Sequence, residues 1–291
     1  MKALNGLRMD AAAGPDKVSV KMLKDVDKHG EIMASVASVC CINEKFPEVL
    51  QNARTVLLLK KGDPKKMTNW RGISIRSAIR RCISKALCHR LNMYVDLSEH
   101  QKDFRRLPGL LENVARLQGI LTASVEEERG VSVAFLDISK AFDNVGHEHV
   151  EKTLSSFAIA ENLRRAIGAM YSGMTARVEV GGEVTGAVPV KRGVLKGDPL
   201  SPLLLNLTIN FLLHELNDFD LKKALGLNVN DILALSAFAF ADDLVIARKN
   251  RAASRRLSRG FCTWFVVWRT WCDFEGWLIV VTFPWYQSID Y

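Results

Sequence analysis

The chain has 291 residues, of which 48% are hydrophobic and 25% charged, and its formal net charge is +8. These values are typical of a globular protein with one large domain or two smaller ones. The longest apolar run without a charge, residues 199–214, is shorter than the about 20 residues that cross a bilayer, which argues against a membrane protein.

The positive charge is unevenly distributed along the sequence. Residues 54–106 contain fourteen Lys and Arg against four Asp and Glu, and residues 248–259 contain six Lys and Arg and no acid. A single basic run is explained by a solvated helix face. Two such stretches favour a polyanionic partner, most simply nucleic acid.

In chain order, the first predicted elements are helices. Apolar residues at helical spacing predict a helix within residues 11–24, after the turn Gly14-Pro15-Asp16, and either Asp16 or Ser19 is placed to cap it. The same spacing predicts further helices over residues 31–43, 77–94 and 113–125.

A basic hairpin is predicted between the second and third of these helices. Residues 54–60 (RTVLLLK) have the apolar run of a buried strand, a basic turn follows, and residues 69–75 (NWRGISI) form the returning strand. This pairing brings Lys60, Lys61 and Arg71 near one another.

A strand with an acid at its end follows the helices. Residues 131–137 (VSVAFLD) are almost entirely apolar, so we expect the strand to be covered on both faces. Asp137 then lies where a sheet opens to solvent or ligand. The alternative is that Asp137 caps the helix that comes next.

A glycine-rich stretch precedes the most apolar helix. Residues 178–190 predict a hairpin that turns at Gly181-Gly182. The basic loop after it contains Gly193 and Gly197 and a Ser-Pro helix start, a pattern that lets backbone approach a ligand closely. Residues 203–216 predict a buried helix, because they are apolar on most faces.

Two adjacent acids stand between two short apolar runs in residues 236–248 (SAFAFADDLVIAR). This pattern predicts a β-hairpin with the carboxylates of Asp242 and Asp243 at its tip. Like charges repel, so such a pair on a buried hairpin is best explained by a cation that both hold. The alternative is a solvated turn, in which Asp is common.

The cysteine and histidine patterns predict no zinc site. The six Cys, at 40, 41, 82, 88, 262 and 272, form no CxxC pair, and no His pair has zinc-finger spacing. We expect free, buried thiols in a reducing compartment. His147-Glu148-His149 is a weak metal pattern, and a surface helix start explains it better.

Together these features fit phosphoryl transfer to a 3′-hydroxyl. Two divalent ions about 3.5–4 Å apart clamp the attacking and leaving oxygens in that reaction. Carboxylates on adjacent strands can hold Mg²⁺ together with phosphate oxygens and water. Cationic side chains then neutralise the triphosphate.

An ordered set of motifs resembles reverse transcriptases of non-LTR retrotransposons, most closely the site-specific elements that insert into ribosomal RNA genes. The motifs are GPDKVS, LLLKKGDP with NWRGISI, FLDISKAFDNV, RGVLKGDPLSP and FADD, and the resemblance covers about residues 11–250. It implies an α+β right-hand polymerase fold with the thumb absent or truncated.

The resemblance also implies a division of the chain. Residues 1–130 would be the fingers, with the basic hairpin that binds template and triphosphate. Residues 131–291 would be the palm with the catalytic acids, including a fingers-side insertion at about 155–190. From about residue 277 the family pattern decays, and this tail is expected to be degenerate.

Catalytic and metal-binding roles follow from the same resemblance. Asp137 matches the first metal-binding acid, with the backbone carbonyl of Ile138 nearby. Asp242 matches the direct ligand of the acidic pair and Asp243 the second carboxylate. Phe142, five residues after Asp137, matches the bulky residue that excludes a 2′-hydroxyl and so favours deoxynucleotides.

The resemblance also implies which residues bind the substrates. Arg71 matches the triphosphate-binding arginine, and its lysine companion is Lys60 or Lys61. Residues 193–202, with Gly193, Lys196 and Gly197, match the loop that positions template and incoming base, but Lys196 stands where the family has Gln. Later, Val280 and Phe283 stand where the family has Asn and a proton-donating Lys.

The activity implied is RNA-directed DNA polymerisation, a nucleotidyl transfer with two Mg²⁺ ions, or Mn²⁺, for target-primed reverse transcription. The partners would be an RNA template, a DNA primer and dNTPs, in the nucleus. The N-terminal residues show no obvious start of a fold, as is expected for a fragment of a longer chain. We expect the parent protein to carry an endonuclease as well. The alternatives are a catalytically impaired nucleic-acid-binding remnant and a group II intron maturase-like reverse transcriptase.

Overall fold

The computed structural model describes residues 1–103, 108–126, 131–217, 235–249 and 275–283. Its α-helices are α1 (Lys2–Asn5), α2 (Val20–Val26), α3 (Glu31–Ile42), α4 (Glu48–Gln51), α5 (Ala78–Leu91), α6 (Gly109–Glu126), α7 (Ala141–Asn144), α8 (His147–Ser156), α9 (Glu161–Tyr171) and α10 (Ser201–Asn217). Its strands are β1 (Asn52–Leu59), β2 (Trp70–Arg76), β3 (Val131–Ser139), β4 (Thr175–Val180), β5 (Glu183–Val184), β6 (Val188–Pro189), β7 (Leu235–Phe240), β8 (Asp243–Lys249) and β9 (Glu275–Phe283). Helices and strands do not alternate regularly, and the α+β class is confirmed.

The chain divides into two compact units. The first unit comprises Met1–Asp96 and Gly146–Leu204, and the second comprises Leu97–Val145 and Leu205–Tyr291. The predicted boundary at residue 130 therefore falls inside the second unit. The assignment of fingers and palm stays a prediction.

The first unit is built on a sheet in which β1 is central. β2 pairs with β1 antiparallel, β4 pairs with β1 parallel, and β5 and β6 both pair with β4. The predicted β1–β2 hairpin is confirmed, but β1 is not buried as predicted: it is half-buried, and Leu58 and Leu59 are exposed. An antiparallel pair can leave one face to solvent, so an apolar run does not require cover on both faces.

Helices pack beside this sheet within the first unit. α5 contacts α1, α3 and α9, and its apolar positions Ile83, Leu87 and Leu91 are buried. Ser19 rather than Asp16 caps α2, because its hydroxyl accepts the Met22 N–H at 3.1 Å. The four described cysteines, at 40, 41, 82 and 88, are free thiols whose pKa burial raises. Cys40 and Cys82 are buried as predicted, whereas Cys41 and Cys88 are half-buried.

The second unit is built on an antiparallel sheet with the order β7-β8-β3-β9. α6 lies against it, and Leu117, Ile120 and Leu121 pack on a core of Val131, Val133 and Ala247. The predicted strand ending in Asp137 continues to Ser139. Its cover is incomplete, since Phe135 is 37% exposed. β9 pairs with β3 along its whole length, so residues 277–283 belong to the sheet.

α10 confirms the predicted buried helix. Most of its apolar side chains are inaccessible to solvent, and Asn206, Thr208 and Asn210 are also buried. The amide oxygen of Asn210 accepts the Ser98 N–H at 2.6 Å. In the part of the chain that the structure describes, no helix combines the length and apolarity needed to cross a membrane.

Candidate active site

The acidic hairpin forms where the sequence predicts it, but only one of its acids lies in the turn. β7 and β8 are joined by the two residues Ala241 and Asp242, and Asp243 is already the first residue of β8, opposite Phe240. Ala241 has φ 52°, a positive value that tight hairpin loops require at their first position. The expectation of two carboxylates at the tip is corrected to one in the loop and one on the strand.

Strand register brings the third acid beside this pair. Asp137 on β3 is the direct partner of Asp243 on β8. Opposed residues of antiparallel strands carry their side chains on the same face, with Cβ atoms about 4.5–5.5 Å apart. Asp137 and Asp243 are exposed and Asp242 is half-buried. The alternative role of Asp137 as a helix cap is excluded, because Lys140 occupies the N-cap position of α7.

The electrostatics of the three acids favour a bound cation. Although Asp243 as a whole is exposed, partial burial of its carboxyl group raises the pKa above its ordinary value, and the negative charges of Asp242 and Asp137 raise it further. Among the described residues, no three His, Cys, Asp or Glu side chains already converge as a metal cluster. The three acids therefore suit divalent ions in two respects. Their backbone positions bring them together, and carboxylate oxygens are the ligands that Mg²⁺ prefers.

Two further predicted residues follow directly on β3. Ile138 is buried, and its strand pairs with β9 at this point. Phe142 lies on the short helix α7 and is half-buried. Both belong to the same unit as the three acids.

The basic hairpin lies in the first unit and has a well-defined turn. Lys60 and Lys61 are exposed in the loop after β1, and Arg71 is exposed on β2, opposite Leu58. The Lys60 N–H donates to the Asn69 carbonyl at 2.8 Å. Within the turn, Asn69 and Trp70 also donate from their side chains to the carbonyls of Asp63 and Pro64.

The glycine-rich loop belongs to this first unit as well. Gly193 and Gly197 have φ values of 92° and 98°, which only glycine adopts without strain. A Cβ atom on Gly197 would lie 3.5 Å from the Ser74 carbonyl, so this part of the loop runs against β2, the strand that carries Arg71. Lys196 is half-buried.

Side chains outside the predicted site residues fix both ends of the loop. The buried carboxylate of Asp198 accepts hydrogen bonds from the Ser84 hydroxyl and from the Leu200 N–H. His147 Nε2 lies 2.9 Å from the Gly193 carbonyl, and its ring centroid is 5.3 Å from that of Tyr171. His147 is the first residue of α8, so the predicted helix start is confirmed.

A model of the family described as reverse transcriptase (RNA-dependent DNA polymerase) matches residues 59–270. The chain belongs to this family and is an RNA-directed DNA polymerase domain. Members of the family normally use divalent metal ions, and the family implies an RNA template and a DNA primer as partners.

Several curated relatives of the chain are proteins of retrotransposable elements. A Pol polyprotein from type-1 retrotransposable element R2 of Popillia japonica is 34% identical over 68% of the chain and 27% of its own length. The corresponding protein of type-2 element R2DM from Drosophila melanogaster is 29% identical over 84% of the chain and 22% of its own length. The resemblance to non-LTR elements of the ribosomal-DNA-inserting kind is thus confirmed. The chain spans about a quarter of the length of these relatives.

Proposed function

We propose that the chain carries the nucleotidyl-transfer site of a non-LTR reverse transcriptase, and that Asp137, Asp242 and Asp243 hold its two Mg²⁺ ions. The observation that carries this proposal is the register of β3 against β8, which opposes Asp137 to Asp243 and sets Asp242 in the adjoining loop. Bound divalent ions supply Lewis acidity at the attacking and leaving oxygens, and Mn²⁺ can replace Mg²⁺. The backbone carbonyl of Ile138 is a further ligand in this proposal.

The remaining side chains act on the substrates in this proposal. Arg71, with Lys60 or Lys61, neutralises the triphosphate of the incoming dNTP. Phe142 excludes the 2′-hydroxyl of a ribonucleotide. Residues 193–202 position the template and the incoming base, and the absence of a side chain at Gly197 lets the backbone approach them.

The parent protein is proposed to perform target-primed reverse transcription on nicked chromosomal DNA in the nucleus, with an endonuclease of its own. In the right-hand description, residues 1–130 act as fingers and residues 131–291 as palm, with the thumb absent or truncated. Imaging of the tagged parent protein checks the nuclear assignment, and exclusion from the nucleus would contradict it.

Primer extension on an RNA template tests the activity. With Mg²⁺ and dNTPs, Asp242→Ala is expected to lower incorporation by about 1,000-fold, because metal ions supply several kcal/mol of transition-state stabilisation. Asp25→Ala removes an exposed acid of α2 and serves as the control. Incorporation that is the same for Asp242→Ala and Asp25→Ala rules the proposed site out.

A nucleic-acid-binding remnant is the second candidate, because several positions depart from the family. Lys196 replaces Gln in the loop, and Val280 and Phe283 replace Asn and Lys on β9, where they pair with Ala134 and Val131. RNA binding that weakens with salt, without any incorporation by the parent protein, would favour this candidate over the polymerase.

A further inference from the structure

A short segment before α6 covers the edge of the sheet that carries the acids. The Ala239 N–H donates to the His100 carbonyl at 2.8 Å, and the Lys102 N–H donates to the Ala239 carbonyl at 3.0 Å. Gln101 therefore forms a parallel bridge with Ala239. The outer strand of the acidic hairpin, β7, is tied by backbone bonds to a part of the chain far away in sequence.

The side chain of Gln101 continues this attachment to the turn itself. Its Oε1 accepts the Ala241 N–H at 3.1 Å, and its Nε2 donates to the Ala241 carbonyl at 3.2 Å. The same Oε1 accepts the Asp103 N–H at 3.2 Å. Gln101 is 0% exposed, so these bonds are shielded from water.

Ala241 is the residue of the hairpin that needs such support. Its φ of 52° lies in the left-handed region, which a residue with a Cβ atom rarely adopts. It immediately precedes Asp242, so its backbone angles determine the orientation of the chain at Asp242 and Asp243. A primary amide is the side chain that offers one donor and one acceptor at this spacing, whereas a carboxylate only accepts and a hydrocarbon does neither.

We propose that Gln101 is a positioning residue for the acidic pair: it holds Ala241 at positive φ and thereby keeps Asp242 and Asp243 within reach of the same metal ions as Asp137. This inference rests on the proposed metal-binding function of these acids. Gln101 itself touches neither the ions nor the substrates.

A neighbouring amide provides a matched control. Asn113 on α6 is also buried, and its Nδ2 donates to the Ala239 carbonyl at 3.0 Å. It supports the same strand as Gln101 but makes its bond two residues earlier and does not reach Ala241. Asn113→Leu therefore measures the general cost of losing a buried amide at this sheet edge.

Binding of Mn²⁺ to the full chain, followed by the EPR signal of the free ion, tests the proposal without requiring catalysis. Gln101→Leu is expected to raise the Mn²⁺ dissociation constant by about tenfold, whereas Asn113→Leu lowers the melting temperature without changing that constant. Adding Ala241→Gly to Gln101→Leu is expected to lower the Mn²⁺ dissociation constant again by about threefold, because glycine adopts positive φ without a Cβ penalty. In primer extension, the Mg²⁺ concentration that gives half-maximal activity should follow the same order among the variants as the Mn²⁺ dissociation constant. The KM for dNTP should stay constant.

The outcomes separate this inference from the proposed function. If the unmodified chain binds no Mn²⁺ through Asp242, both are overturned. If it binds Mn²⁺ and Gln101→Leu binds equally well, or if Asn113→Leu weakens binding as much, only the role of Gln101 is overturned. Should Gln101→Leu fail to fold, the double variant with Ala241→Gly must fold and bind, and its failure to do so also overturns the role.

Discussion

Ser84→Ala is predicted to loosen the glycine-rich loop from α5. The Ser84 hydroxyl donates to the buried Asp198 carboxylate and accepts the Leu200 N–H at 3.2 Å, and Ser84 is 0% exposed. Alanine removes both bonds. The Leu200 N–H keeps its other acceptor on Asp198, at 3.0 Å, so the main loss is the donor to the carboxylate.

The size of the effect follows from that single charged acceptor. A hydrogen bond to a charged group contributes about 1.5–3 kcal/mol, and the missing oxygen leaves only a small void, so we expect the free energy of unfolding to fall by about 2 kcal/mol. In a chain of 291 residues, that corresponds to a melting temperature about 3 °C lower. Urea unfolding followed by circular dichroism measures the change.

A serine on a neighbouring helix serves as the control for this variant. Ser38→Ala on α3 changes an exposed position and is expected to stay within about 0.5 kcal/mol of the unmodified chain. A Ser84→Ala variant that is as stable as Ser38→Ala would refute the reasoning. It would mean that the Asp198 carboxylate finds an equivalent donor once the hydroxyl is gone.

Two further substitutions probe the loop and the sugar contact. Gly197→Ala is expected to lower the free energy of unfolding by about 1–3 kcal/mol in the same urea assay, because φ is 98° at this position. The new Cβ would lie 3.5 Å from the Ser74 carbonyl oxygen, which is an ordinary contact, so the cost comes from the backbone conformation. A change below about 0.5 kcal/mol would show that the loop relaxes freely. Phe142→Ala is expected to raise ribonucleotide incorporation relative to deoxynucleotide incorporation by about tenfold, measured by single-nucleotide primer extension, and an unchanged ratio would contradict the sugar-gate role.

Local patterns predicted a good part of the framework of each unit. The β1–β2 and β7–β8 hairpins follow from short apolar runs with turn residues between them, and both formed at the expected positions. The turn at Gly181-Gly182 formed as well, with both glycines at positive φ. Such elements depend on neighbours in sequence, so a pattern over ten residues contains the information needed to place them.

Contacts between distant segments were outside the reach of those patterns. Gln101 and Ala241 are 140 residues apart, and nothing in the polar stretch around Gln101 indicates a buried amide. The pairing of Asp137 with Asp243 rather than Asp242 depends on a one-residue choice of register, which the adjacent acids leave open in the sequence. Sequence pattern therefore identified the acids, whereas the structure identified what orients them.

Charge counting along the sequence also overstated the basic surface. Arg76 and Arg80 are 2% and 1% exposed, and their guanidinium groups bond to Met174 and to the Met170 carbonyl inside the first unit. Burial, and then the charge of Arg80, lowers the pKa of Arg76 to about 9, while the negative charge of Asp198 opposes the shift. These two arginines thus belong to the core behind the glycine-rich loop. In the described part of residues 54–106, the exposed residues of the basic hairpin contribute to the field available to a nucleic acid or a triphosphate, and these are Lys60, Lys61, Lys65, Lys66 and Arg71.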